Sequence, residues 1–123
     1  MAATTRSLVA YVHVADVGRS IAFYADLGFA VANSVVADDR SAPVWAWLQC
    51  GAASLMVGQA SAPVDASQQA ILFYLYFDDI VQARAALVAR GHAPGEIRYP
   101  FYMPDGEFRL EDPDGYVLML ARI

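Results

Sequence analysis

A single cysteine, Cys50, leaves no partner for an intrachain disulfide, so covalent stapling is excluded and a reducing, cytoplasmic setting is the default expectation. Basic residues are also scarce. Eight Lys plus Arg stand against thirteen Asp plus Glu, a net charge of −5. Phosphate recognition needs a basic stripe, so this balance argues against a nucleic-acid partner and is compatible with a neutral or cationic small ligand. No apolar run is long enough to cross a bilayer, and no charged segment leads into an apolar one at the N-terminus, so no membrane partner is expected. No segment is low-complexity. What the chain has in abundance is apolar character: 58 % of its 123 residues are hydrophobic. That is enough for the core of one domain, with apolar surface left for a partner.

The sequence contains itself twice. Residues 8–28 read LVAYVHVADVGRSIAFYADLG and residues 71–91 read ILFYLYFDDIVQARAALVARG. A shift of 63 positions brings Asp16 onto Asp79, Val17 onto Ile80 and Gly28 onto Gly91. Each half runs from an apolar strand through an acidic helix start to a stop at Gly. Neither half is large enough to bury its own core, so two modules must pack together.

A pass along the chain predicts a strand at 8–15, a helix between the Asp16 cap and Gly28, and a strand at 29–37. A turn over DDRSAP follows, then two strands, VWAWLQ and ASLMVG, joined through Cys50-Gly51. Ile21, Tyr24 and Leu27 share one face of the helix. Residues 59–69 are small and polar and read as a linker. The order then repeats: strand 70–77, helix 79–90, strand 92–98, loop 99–106, strand 107–111, the DPDG turn at 112–115 and strand 116–121. The expectation is one α+β domain over residues 1–123, built as two tandem βαβββ modules at 7–58 and 70–123.

Successive strand residues face opposite sides. Sorted by parity, one set is plainly apolar: Leu8, Ala10, Val12 and Val14; Val44, Ala46 and Leu48; Ala53, Leu55 and Val57; Ile71, Phe73, Leu75 and Phe77; Phe108 and Leu110; Tyr116, Leu118 and Leu120. The other set is different. It holds Val9, Tyr11 and His13, then Trp45 and Trp47, then Ser54 and Met56. In the second half it holds Leu72, Tyr74 and Tyr76, then Glu107, Arg109 and Glu111, then Val117 and Met119. Wide side chains with a polar handle line ligand cavities. They are also enriched where protein surfaces meet, so a homodimer interface is the alternative, and both can hold together.

The stretch YVHVADVGRSIAFYADLGF resembles the opening of the glyoxalase / bleomycin-resistance / dioxygenase group, the vicinal oxygen chelate superfamily. GEFRLEDPDGYVLMLAR resembles its last hairpin. The resemblance covers almost the whole chain. It implies two βαβββ modules whose curved mixed sheets enclose a cavity, and often a homodimer. Metal-dependent relatives hold a divalent ion with His, Gln or Glu from the first and last strand of each module. Carried over by spacing, those positions are Val9, Met56, Leu72 and Met119. The 63-residue offset relates Val9 to Leu72 and Met56 to Met119 without the family. All four are apolar, and a thioether is too soft for these ions. No metal and no other cofactor is therefore expected. A displaced pair such as His13 and Glu107 would still fall short of the usual ligand count.

The candidate ligand-binding residues are those of the second parity set. Trp45 and Trp47 offer a stacking wall for a planar or aromatic ligand. Arg109 meets a ligand anion or pairs with Glu107 or Glu111. His13 and Tyr11 are candidates for a general base, with a satisfied structural role the alternative. Tyr74 and Tyr76 supply hydroxyls, and Ser54, Met56, Glu107 and Met119 complete the face. Cys50 has no adjacent base and is not read as a nucleophile. His92 reads as surface. Asp112 and Asp114 read as turn residues. RYPFYMPDG is too apolar for a plain loop and reads as a lid or a dimer contact. The leading expectation is a metal-independent small-molecule binding protein that sequesters an antibiotic or toxic metabolite. A metal-free lyase, isomerase or hydrolase, and a dimeric interaction module without ligand, are the alternatives.

Overall fold

The computed structural model describes residues 3–123, apart from the side chain of Ala66. The chain divides into two compact units between Val64 and Asp65. In the first, β1 (Ala10–Val14) leads to α1 (Val17–Ala25), β2 (Ala30–Val36), β3 (Pro43–Cys50) and β4 (Ala53–Gln59). The sheet order is β1-β4-β3-β2, with β1 parallel to β4 and the other pairs antiparallel. The second unit holds β5 (Leu72–Phe77), α2 (Ile80–Ala89), β6 (Glu107–Glu111) and β7 (Val117–Arg122). Its sheet order is β5-β7-β6, again with the first and last strands parallel.

Local chemistry explains the repeat. The Asp16 side chain accepts a hydrogen bond from the Arg19 amide at 3.0 Å, and Asp79 accepts one from Gln82 at 3.0 Å. Each supplies an acceptor that the first helical turn lacks. The helix ends also match. Gly28 (φ +96°) and Gly91 (φ +90°) adopt the left-handed conformation. Their amides donate to Ala25 and Val88, and the next residues, Phe29 and His92, donate back to Tyr24 and Leu87. This paired closure at a glycine terminates both helices.

Burial follows most of the apolar parity set, although Ala53 is exposed and Ala10, Val44, Phe73, Leu75 and Phe77 are half-buried. Val12, Val14, Ala46, Leu48, Leu55 and Val57 are buried in the first unit, where α1 sets Val17, Phe23 and Tyr24 against the sheet. Phe108, Leu110, Leu118 and Leu120 are buried in the second. Each buried valine, leucine or phenylalanine side chain contributes roughly 1.5–3 kcal/mol.

Three expectations need correction. The first strand of each unit starts later than expected, at Ala10 where pairing with β4 begins and at Leu72 where pairing with β7 begins, and Leu8 and Ile71 are exposed rather than inward. The strand expected at 92–98 is reduced to one bridge, Arg98 with Glu107, plus a bond from the Gly95 amide to Arg109. Pro94 has no N–H to donate, which interrupts a ladder there. The residues 59–69 are not wholly irregular. Gln59 closes β4, its side-chain amide donates to the Ala15 carbonyl, and Ala66–Gln68 form a 3-10 turn capped by Asp65. His92 is half-buried. The DPDG turn forms as expected: the buried Asp112 carboxylate accepts from the Asp114 and Tyr116 amides, each at 2.9 Å.

Candidate functional site

In the first unit, strand register places the candidate residues in rows on one sheet face. Trp47, Met56 and Tyr11 form one row, and Trp45, Gly58 and His13 the next. Ser54 pairs with Gln49 beyond them. Both Trp residues, Ser54 and Met56 are half-buried, whereas Tyr11 and His13 are exposed. Gly58 matters to this surface. A Cβ there would collide with the Tyr11 phenol, so the ring lies diagonally across a position that has no side chain. The Tyr11 and His13 rings sit 5.1 Å apart, tilted by 52°.

The second unit repeats the arrangement with different chemistry. Arg109, Met119 and Tyr74 form one row, and Glu107, Ala121 and Tyr76 the next. Ala121 stands 63 positions after Gly58. The Tyr74 hydroxyl crosses this small residue and donates to Glu107 Oε1 at 3.2 Å. Tyr102, from the loop before β6, donates to Glu107 Oε2 at 3.4 Å. Glu107 is only 5 % exposed. The Tyr74 and Tyr76 rings are stacked, 6.2 Å apart and 25° from parallel. Burial pushes the Tyr74 phenol above its ordinary value, and the hydrogen bond and negative charge of Glu107 push it the same way. Arg109 has turned to Glu111, at 2.9 Å, with both side chains well exposed. It lines an open groove of about 630 Å³ together with His92 and Asp112.

A family model for the Glyoxalase/Bleomycin resistance protein/Dioxygenase superfamily matches residues 7–120. The chain belongs to this superfamily. Among solved structures, a bleomycin-binding protein complexed with bleomycin is similar at 20 % identity and a TM-score of 0.76, over 97 % of this chain and 99 % of that one. TnmS3, an antibiotic-binding protein from Streptomyces sp. CB03234, is similar at 21 % identity and 0.76, over 99 % and 98 %. A bleomycin resistance determinant encoded on the transposon Tn5 is similar at 21 % identity and 0.74, over 96 % and 98 %. No curated protein matches the chain. At these identities the likeness establishes the fold, two modules of mixed α+β structure.

Metal-dependent members of the superfamily set the standard against which the four symmetric positions can be judged. Met56 lies beside Tyr11, and Met119 beside Tyr74. Val9 lies just before β1, and Leu72 opens β5 with its side chain exposed. Two aliphatic groups and two thioethers do not fit a hard or borderline divalent ion. Among the described residues, no group of three or more His, Cys, Asp or Glu gathers where an ion could sit.

Three contributors to the site were not singled out by strand parity. Gly58 and Ala121 act by being small, a signal visible only once the 63-residue repeat is extended to the last strands. Tyr102 lies in a loop, where alternation carries no information. Its apolar neighbours Tyr99 and Phe101, the latter 96 % exposed, did mark the loop as unusual.

Proposed function

We propose that the protein is a metal-independent binding protein for a planar or aromatic small molecule. The carrying observation is the makeup of the sheet faces not covered by helix. Trp45 and Trp47 share a sheet face with Tyr11 and His13 in one unit, and Tyr74 and Tyr76 share one with Glu107 in the other. Stacking on wide rings, oriented by a few polar tips, suits reversible sequestration without chemistry. Two solved structures of the same fold are described as a bleomycin-binding and an antibiotic-binding protein, which supports an antibiotic or toxic metabolite as the ligand class. The apolar character of Val9, Met56, Leu72 and Met119 supports binding without a metal. A second copy of the chain is the proposed partner, checked by a light-scattering mass of twice 13.3 kDa. The free cysteine fits a reducing compartment, and the cytoplasm is the proposed location.

The test is a titration of intrinsic tryptophan fluorescence against a panel of planar antibiotics and metabolites. Both Trp residues sit on the proposed surface, so a true ligand quenches or shifts their emission saturably, and Trp47→Phe reduces the change. A panel that leaves the emission unaltered defeats the reading and leaves a dimeric interaction module in its place.

The Tyr11–His13 contact favours one second reading, a metal-free lyase or isomerase with one of these residues as base. Turnover of a bound compound, abolished in His13→Ala with the fold intact, would replace sequestration by catalysis.

A further inference from the structure

Glu107 is the least ordinary residue of the second unit. A carboxylate removed from water normally meets a cation or several strong donors. Glu107 is 95 % buried, yet its side-chain partners are two phenols, Tyr74 at 3.2 Å and Tyr102 at 3.4 Å. Charge-assisted O–H···O⁻ bonds usually run about 2.5–2.7 Å, so both contacts are long and compensate little of the charge. Among the described residues no cationic side chain bonds to it. Arg109, two positions along the same strand and face, is committed to Glu111. The rings around the carboxylate are arranged for a further guest. Tyr74 and Tyr76 stack with part of each ring exposed, at 38 % and 55 % for the two residues, and Tyr102 is 59 % exposed. Ring faces beside a carboxylate attract an organic cation twice, through the π quadrupole and through the charge. The elevated ionisation of Tyr74 keeps its phenol protonated and donating, so it adds no second negative charge. The whole chain's net charge of −5 acts in the same direction at longer range.

We infer that Glu107, Tyr74, Tyr76 and Tyr102 form a subsite for a positively charged nitrogen group, an ammonium, amidinium or guanidinium carried by the ligand. The inference rests on the small-molecule reading above and narrows it from planar to planar and cationic. The long phenol contacts supply the specificity: a neutral ligand group leaves the carboxylate as it is, whereas a cation completes its pairing.

Two planar dyes test this: proflavine, which is cationic, and acridine, which is neutral at mildly alkaline pH. Binding is followed by fluorescence at near-physiological ionic strength, so that long-range attraction is screened. Wild-type protein is expected to bind proflavine at least about tenfold more tightly than acridine. Glu107→Gln keeps the shape and removes the charge, so it is expected to lower proflavine affinity far more than acridine affinity and so erase that preference. Equal affinity of the wild type for both dyes, or a preference that survives Glu107→Gln, overturns the cation subsite and leaves the small-molecule reading standing. If neither dye binds and the antibiotic panel also leaves the emission unaltered, both readings fall together. Should Glu107→Gln not fold, Tyr76→Ala on the exposed edge decides. Loss of proflavine affinity severalfold beyond the loss for acridine supports the subsite, and equal losses overturn it.

Discussion

A phenol that hydrogen-bonds a buried carboxylate gives up its proton reluctantly, and Tyr74 carries that signature. Burial, the bond to Glu107 and the Glu107 charge all raise its ionisation above the ordinary tyrosine value. The folded state therefore holds this proton at a pH where the unfolded chain has begun to lose it. The associated stability is fully present below about pH 10, the unfolded value, and is lost as pH rises through the higher folded value. Urea denaturation across this alkaline range is expected to show a fall in stability with pH that is shallower in Tyr74→Phe. Equal slopes in the two proteins would disprove the linkage. Strand alternation was enough to bring Tyr74 and Glu107 to one face in advance. It could not say that they touch, because the bond spans two strands diagonally and depends on Ala121 being small. Nor could it choose a partner for Arg109, since Glu107 and Glu111 both lie two residues away and only packing shows Glu111 taken and Glu107 buried.

Among the elements, the helices were the most legible, because their boundaries are set by chemistry a few residues long. Asp16 and Asp79 cap, and Gly28 and Gly91 close, with the same bonds at both ends of the repeat. The expected strand at 92–98 was not legible in this way. The repeat order placed a strand there, but Pro94 lacks the donor that continuous pairing requires, and one bridge to β6 is what remains. Between β1 and β4 a different small-scale fit operates. Tyr11 occupies the space above Gly58, where a methyl group would meet the phenol oxygen and ring. Gly58→Ala is expected to destabilise the protein by about 1–3 kcal/mol, since the ring must move off its seat. In a Tyr11→Ala background the same change should be neutral or stabilising, because alanine is the better strand residue once the space is open. The double-mutant cycle, read by urea denaturation, is expected to give a coupling of at least about 1 kcal/mol. Additive effects would show that the ring does not rest on Gly58.

For the whole molecule, the superfamily offers two kinds of chemistry on one scaffold, with and without a divalent ion. In this chain the positions that would carry the ion hold Val9, Met56, Leu72 and Met119. A dialysed sample is expected to contain far less than one divalent ion per chain by elemental analysis. Its ligand affinity should be unchanged by a chelator, since no side-chain donor would be stripped. A stoichiometric ion whose removal abolishes binding would sink the metal-independent proposal. The repeat made this prediction possible from sequence alone. Cap, strand parity and helix stop are local properties, so they recur at a constant offset and identify equivalent positions without coordinates. Module order was legible in the same way, and the family was legible from the resemblance of the opening and closing stretches. What the tertiary structure decided were contacts that packing selects: Tyr11 seated over Gly58, Arg109 drawn to Glu111, and Glu107 buried against Tyr74 and Tyr102. Those depend on register across three strands and on which side chain is small enough to be crossed, and neither is encoded by the alternation of a single strand.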